Sequence, residues 1–172
     1  MTQDLAPLVL EKLREQVERL DHLLALIPPG ALTAAALPIR NAMPLDMLLG
    51  HLLECLAGVC ATLQAAHPER LAHFSRLRSL PVNHRCGVQE AQNRIGEYIS
   101  HIAEGFACLT DQDLARPLPT VFVQQGEAVL TLLLGNLEHL TNHKHQLFLY
   151  LKLLGVPVGT PDLYHRRGAR CP

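Results

Sequence analysis

Tryptophan is absent from the 172 residues, and aromatic side chains make up only 4% of them. With 48% hydrophobic residues, mostly Leu and Ala, the chain predicts an aliphatic core built by helices. Charge of one sign is lacking too: 15 basic residues balance 16 acidic ones, for a formal net charge of −1. That balance offers no general attraction to nucleic acid or to an anionic membrane. Cys55, Cys60, Cys86, Cys108 and Cys171 form no CxxC pair and are odd in number. A disulfide framework is therefore not expected, and a reducing cytoplasm is. The N-terminus turns charged too early for a signal peptide. No apolar run reaches the ~18–20 uncharged residues that a membrane span needs. The richest candidate, Leu132 to Gly155, is interrupted by Glu138, His139, His143, His145 and two lysines.

What is present is helical periodicity. Leu10, Leu13, Val17, Leu20 and Leu24 make one stripe in a first helix over 5–26, ended by "IPPG". An irregular connector over 31–43 follows. Pro44 suits the first turn of a second helix that runs to about Ala66. A connector over 67–87, with room for a helical turn, leads to a third helix from Val88 with Ile95, Ile99, Ile102 and Phe106 as its stripe. Residues 110–126 read as a connector, partly extended at 120–123. A fourth helix runs from about Glu127 to Leu154, stopped by Gly155 and Pro157. Four amphipathic helices with long connectors predict a single all-α domain, a four-helix bundle with crossover connections over residues 1–158. Residues 159–172 have no period and are expected to form a loosely held tail.

Ten histidines are many for this length. His139 and His143 are spaced so that, on a helix, they lie about 40° apart around the axis and roughly 6 Å apart along it. Leu132, Asn136, Leu147, Tyr150 and Leu154 share that stripe, which predicts an inward face. The HExxH and HxxEH patterns of zinc proteases both fail, because Leu140 follows His139 and Asn142 precedes His143. A third ligand must come from another helix. His51, on the second helix's stripe of Leu48, His51, Cys55 and Val59, is the candidate. Three imidazoles suit Zn²⁺ or Ni²⁺, with Fe²⁺ and Co²⁺ also accommodated, and leave positions open for water or substrate. The bland alternative is three histidines packed in a core without an ion.

At these residues the sequence resembles the DinB/YfiT superfamily of metal-dependent enzymes. "LLGHLLECL" and "HLTNHKHQLFLYLKLLGVP" match a pattern with a histidine early in helix two and HxxxH-[RK]-G-Q in the last helix. His51 takes the first position, His139 and His143 the pair, and Lys144 and Gln146 the residues after it. The departure is His145, where the pattern has Gly. The resemblance covers about Leu5 to Val158. It implies a four-helix bundle, a metal on His51, His139 and His143, and a homodimer. Characterised relatives include transferases and isomerases that use a low-molecular-weight thiol. Two reactions on a small-molecule substrate follow: hydrolysis through bound water, or transfer of a bound thiolate to an electrophile. The alternative is a non-catalytic metal-binding or stress-response module.

Other residues carry weaker expectations. Cys55 could reach the same ion but reads as a buried thiol. His101 could be a fourth ligand or a base, and reads as a flanking polar group. His145 reads as a rim histidine. Ligating imidazoles need a partner for their second nitrogen. Glu54 and Glu138 are possible partners, with Asn136 or a residue from another helix preferred. Tyr98 and Tyr150 read as packing, and "HRRGAR" as a solvated basic tail.

Overall fold

A computed structural model describes residues 4–32, 40–120 and 123–166. The long helices are α1 (Leu5–Ala25), α2 (Leu45–Ala66), α3 (Val88–Phe106) and α5 (Val129–Leu153), with short helices α4 (Asp111–Ala115) and α6 (Thr160–Tyr164). A 3-10 helix covers Ala72–Ser79. Strands β1 (Pro117–Leu118) and β2 (Glu127–Ala128) pair antiparallel, Pro117 opposite Ala128, just before α5. The fold is all-α. Each long helix packs mainly on two others, in the cyclic order α1, α3, α2, α5. The sequence neighbours α1 and α2 are thus diagonal, as are α3 and α5.

Burial explains the helices. On α1, Leu13, Val17, Leu20 and Leu24 are buried one above another. Helix α2 is the core element, with Leu48, Leu49, Leu52, Leu53, Leu56 and Leu63 at 0–1% exposure. Fully burying a leucine stabilises a fold by ~1.5–3 kcal/mol, so this row holds the helices together through apolar contact. By length and composition α2 is also the one described helix apolar enough to cross a membrane. It, rather than α5, is the richest apolar stretch. Its apolar faces are covered by α3, α5 and the 3-10 helix, as in a core helix.

Short helices arose in an expected connector, at α4, and in the stretch expected to be a loosely held tail, at α6. Helix α4 begins with a capping box: Asp113 N donates to Thr110 Oγ1 (3.2 Å) and Thr110 N donates to Asp113 Oδ2 (2.9 Å). Beyond Val158, α6 lies on α1. His22 meets Asp162 at 3.0 Å, Arg19 lies over the Tyr164 ring, and Arg166 pairs with Glu18 and Glu11. Arg166 of the basic run is thereby neutralised. Residues 167–172, including Cys171, and the expected extended positions Val121 and Phe122 lie outside the described residues.

Candidate metal centre

The most deeply buried face of α5 carries Leu133, Leu140, Lys144, Leu147 and Leu151. His139 and His143 lie to one side of it, on a half-buried stripe with Leu132 and Asn136. The stripe expected to face inward does so at Leu147 and Tyr150, while its N-terminal half, with the two histidines, forms the shoulder of the helix. The reason is the contact with α2: the apolar residues take the centre, and the imidazoles meet His51 at its margin.

There the three expected residues converge. His51 Nε2 is 3.0 Å from His143 Nε2 and 3.1 Å from His139 Nε2. The ligand atoms of all three lie within 4.8 Å of one another. Four-coordinate zinc with Zn–N bonds of ~2.0–2.1 Å separates its ligand nitrogens by about 3.3 Å, and six-coordinate geometry brings neighbours to about 2.9 Å.

Hydrogen bonding settles which nitrogens carry protons. His51 Nδ1 lies 2.6 Å from Asn83 Oδ1 and 3.0 Å from Glu54 Oε2. An ionised carboxylate only accepts, so Nδ1 carries a proton, and in the neutral ring Nε2 is then the lone pair. His143 Nδ1 donates to Gln146 Oε1 at 2.8 Å, and Gln146 Nε2 donates to the Tyr150 hydroxyl at 2.8 Å. His143 Nε2 is therefore a lone pair as well. With both rings neutral, two lone pairs face each other at 3.0 Å, an arrangement that a shared cation resolves. Burial, then the neighbouring His143 and His51, lower the His139 pKa, which keeps it neutral and able to ligate. The residues fit a divalent metal.

The supports are built into the backbone. Asn83 has a left-handed φ of 53°, and its N–H donates to Gly50 O at 3.1 Å. Asn tolerates that conformation. The loop lies so close to α2 that a side chain at Gly50 would collide with the His84 backbone. Gly50 thus admits the loop that presents Asn83 to the adjacent His51. Asn136, the preferred partner at the sequence level, donates instead to Leu132 O of its own helix. Glu54 takes the role, and Glu138 is exposed.

The remaining candidates separate cleanly. The Cys55 thiol donates to His51 O at 3.6 Å, and burial pushes its pKa up to about 12. His101 is buried; its Nδ1 donates to Glu97 O (2.8 Å) and its Nε2 accepts from Arg76 (3.0 Å), so both nitrogens are spent. His145 is exposed, bonded to Thr141 O. Tyr98 is fully buried and accepts from Arg94. Lys144 is the surprise, 2% exposed with Nζ on Gln16 Oε1 at 2.7 Å. Burial, then the nearby Arg19, lower its pKa to about 8. Beside the centre, a 280 Å³ cavity between α2 and the 3-10 helix is lined by Glu54, Gly58, Phe74, Leu77 and Val82.

No family model matches the sequence, and no curated protein matches it. A solved structure, that of the DinB-like protein YjoA from Bacillus subtilis, is similar with a TM-score of 0.66 at 16% identity. The match covers 93% of this chain and 99% of that one. This likeness over nearly the whole of both chains gives the chain the DinB-like fold.

Proposed function

We propose that the protein is a metal-dependent enzyme in which Nε2 of His51, His139 and His143 hold one divalent cation. The facing lone pairs of His51 and His143 at 3.0 Å carry this reading. Zinc or nickel fits three neutral imidazoles best, and iron or cobalt is accommodated. The cation lowers the pKa of bound water or of a bound thiol, supplying a nucleophile near neutral pH. The chain does the rest. Glu54 and Asn83 hold the His51 proton at Nδ1, Gln146 and Tyr150 hold that of His143, and both Nε2 atoms are kept free.

All three histidines are half-buried rather than sealed from solvent. A closed structural ion would be sealed by protein, whereas these leave positions that solvent or substrate can reach. That supports an enzyme over a passive module. The neighbouring cavity, mostly apolar with Glu54, Gln64 and Arg78 in its lining, suits a small substrate with an apolar body and a polar group. Transfer of a low-molecular-weight thiol to an electrophile is the preferred reaction, with hydrolysis second. We place the protein in the cytoplasm as a homodimer. Two assays on tag-free protein, with a thiol plus electrophiles and with activated esters, test the reaction. Turnover that disappears on chelation and returns with added zinc or nickel is expected. Turnover indifferent to chelation contradicts the proposal.

A further inference from the structure

On the far side of the loop that carries Asn83 lies a second group of donors. His84 and Cys86 sit on the loop, and Glu90 is in the first turn of α3. Their ligand atoms lie within 4.8 Å of one another. His84 Nε2 is 2.8 Å from Glu90 Oε1, and His84 Nδ1 is buried with no hydrogen-bond partner. The Cys86 thiol is buried beneath them, bonded to Gly87 O at 3.4 Å and to the Glu90 carboxylate.

We propose that His84, Cys86 and Glu90 form a second, thiolate-containing site for a thiophilic divalent cation such as zinc. Three observations carry it. The donor set of imidazole, thiol and carboxylate is one that zinc takes readily. The loop is held at both ends before any ion arrives: Asn83 N donates to Gly50 O (3.1 Å) and Cys86 N to Asp46 O (3.0 Å). The backbone contact between His84 and Gly50 fixes the loop between those ends. Finally, His84 has a buried nitrogen that no protein group satisfies, which is unusual in a folded chain.

Access and charge agree. The side chains of His84 and Glu90 are 26% and 43% exposed, so an ion enters from their side and meets Cys86 at the base. Binding transfers the Cys86 proton to solvent and forms a metal–sulfur bond, with no change of oxidation state. The thiolate and the Glu90 carboxylate then neutralise the dication. Arg94, the nearby cation, is 3.9 Å from Glu90, and its guanidinium is already occupied by Pro81 O and the Tyr98 hydroxyl. The site is independent of the three histidines, yet it shares their loop: Asn83 touches His51 while the next residue, His84, is a ligand.

The test is a Cd²⁺ titration of the reduced, tag-free full chain, read through the ultraviolet thiolate-to-cadmium charge-transfer band. The band should saturate at one thiolate-bound ion per chain. It should persist in Cys55→Ser and in His143→Ala, which touches only the three-histidine centre, and vanish in Cys86→Ser. His84→Ala and Glu90→Ala replace a half-buried and an exposed side chain outside the aliphatic core and keep the fold by circular dichroism. Each should weaken cadmium binding at least tenfold. No band in the wild type, a band that survives Cys86→Ser, or unchanged affinity in both alanine variants overturns the proposal.

Discussion

Asn83 Oδ1 accepts from His51 Nδ1 at 2.6 Å, across a loop and a helix that are 32 residues apart in sequence. Through this contact an unremarkable loop sets the protonation state of a candidate ligand. Partners of ligating imidazoles typically contribute about 10–100-fold to metal affinity. Glu54 accepts from the same nitrogen, so either partner alone compensates for the other. Asn83→Gly keeps the left-handed backbone and removes only the acceptor. Asn83→Gly or Glu54→Gln alone should weaken zinc by less than about tenfold, and the pair by about 10–100-fold. A chelator-competition titration reads this, and an unchanged affinity in the double variant contradicts it.

His143→Ala should abolish zinc binding at the three-histidine centre while the helices remain. The core is a row of buried leucines on α2, independent of the imidazoles. Truncating a half-buried ring still costs on the order of 2–4 kcal/mol by analogy with large-to-small core changes. Chelator-stripped wild type, which loses the ion without gaining a cavity, is the control. Circular dichroism should show full helicity in it and only a modestly lower Tm. Collapse of helicity on chelation would mean that binding free energy is folding free energy, as in a structural site.

Lys144 gives a pH signature. Its folded pKa of about 8 lies below the unfolded value of roughly 10.4. Between those values the unfolded chain holds a proton that the folded chain has released, so this residue's contribution to stability rises with pH across that window. The buried thiols of Cys55, Cys60 and Cys86, pushed up to about 12, act in the opposite direction. Comparing Lys144→Met with the wild type at each pH cancels them. In urea unfolding the variant should lose about 2–3 kcal/mol relative to wild type from pH 7 to pH 10.5. A difference independent of pH would show that Lys144 is ordinarily hydrated.

Helix α5 presents Leu134, Leu149 and Leu153 to solvent at 46%, 56% and 43% exposure. Leu130 and Leu137, also off the histidine stripe, are half-buried. Apolar patches of this kind normally find a partner. Light scattering at micromolar concentration should report a dimer, and Leu149→Glu should convert it to a monomer without loss of helicity. A wild-type monomer contradicts this.

The long helices were legible because burial in an aliphatic core imposes a period on α1 and α3. The three histidines were legible through spacing plus resemblance. Their supports were not. Asn83 acts through a left-handed backbone and a glycine in another element, neither of which has a local period. The capping box "TDQD" is a readable local signal for α4, although the surrounding prolines read as linker. Lys144 was hidden by its chemistry: periodicity places a lysine outward, and only tertiary contact with Gln16 brings it in. The centre of the buried face of α5 lies to one side of the histidines for the same reason, since the deepest stripe includes that lysine beside Leu147.

The central claim is that His51, His139 and His143 share one cation. Anomalous diffraction at the zinc edge tests it directly, on crystals of tag-free protein grown with zinc. The account predicts a peak about 2.0–2.2 Å from Nε2 of all three histidines. Zinc bound elsewhere with no peak among these three nitrogens, or His51 turned more than about 8 Å from the pair, a span no first-shell Zn–N bond can bridge, would contradict it.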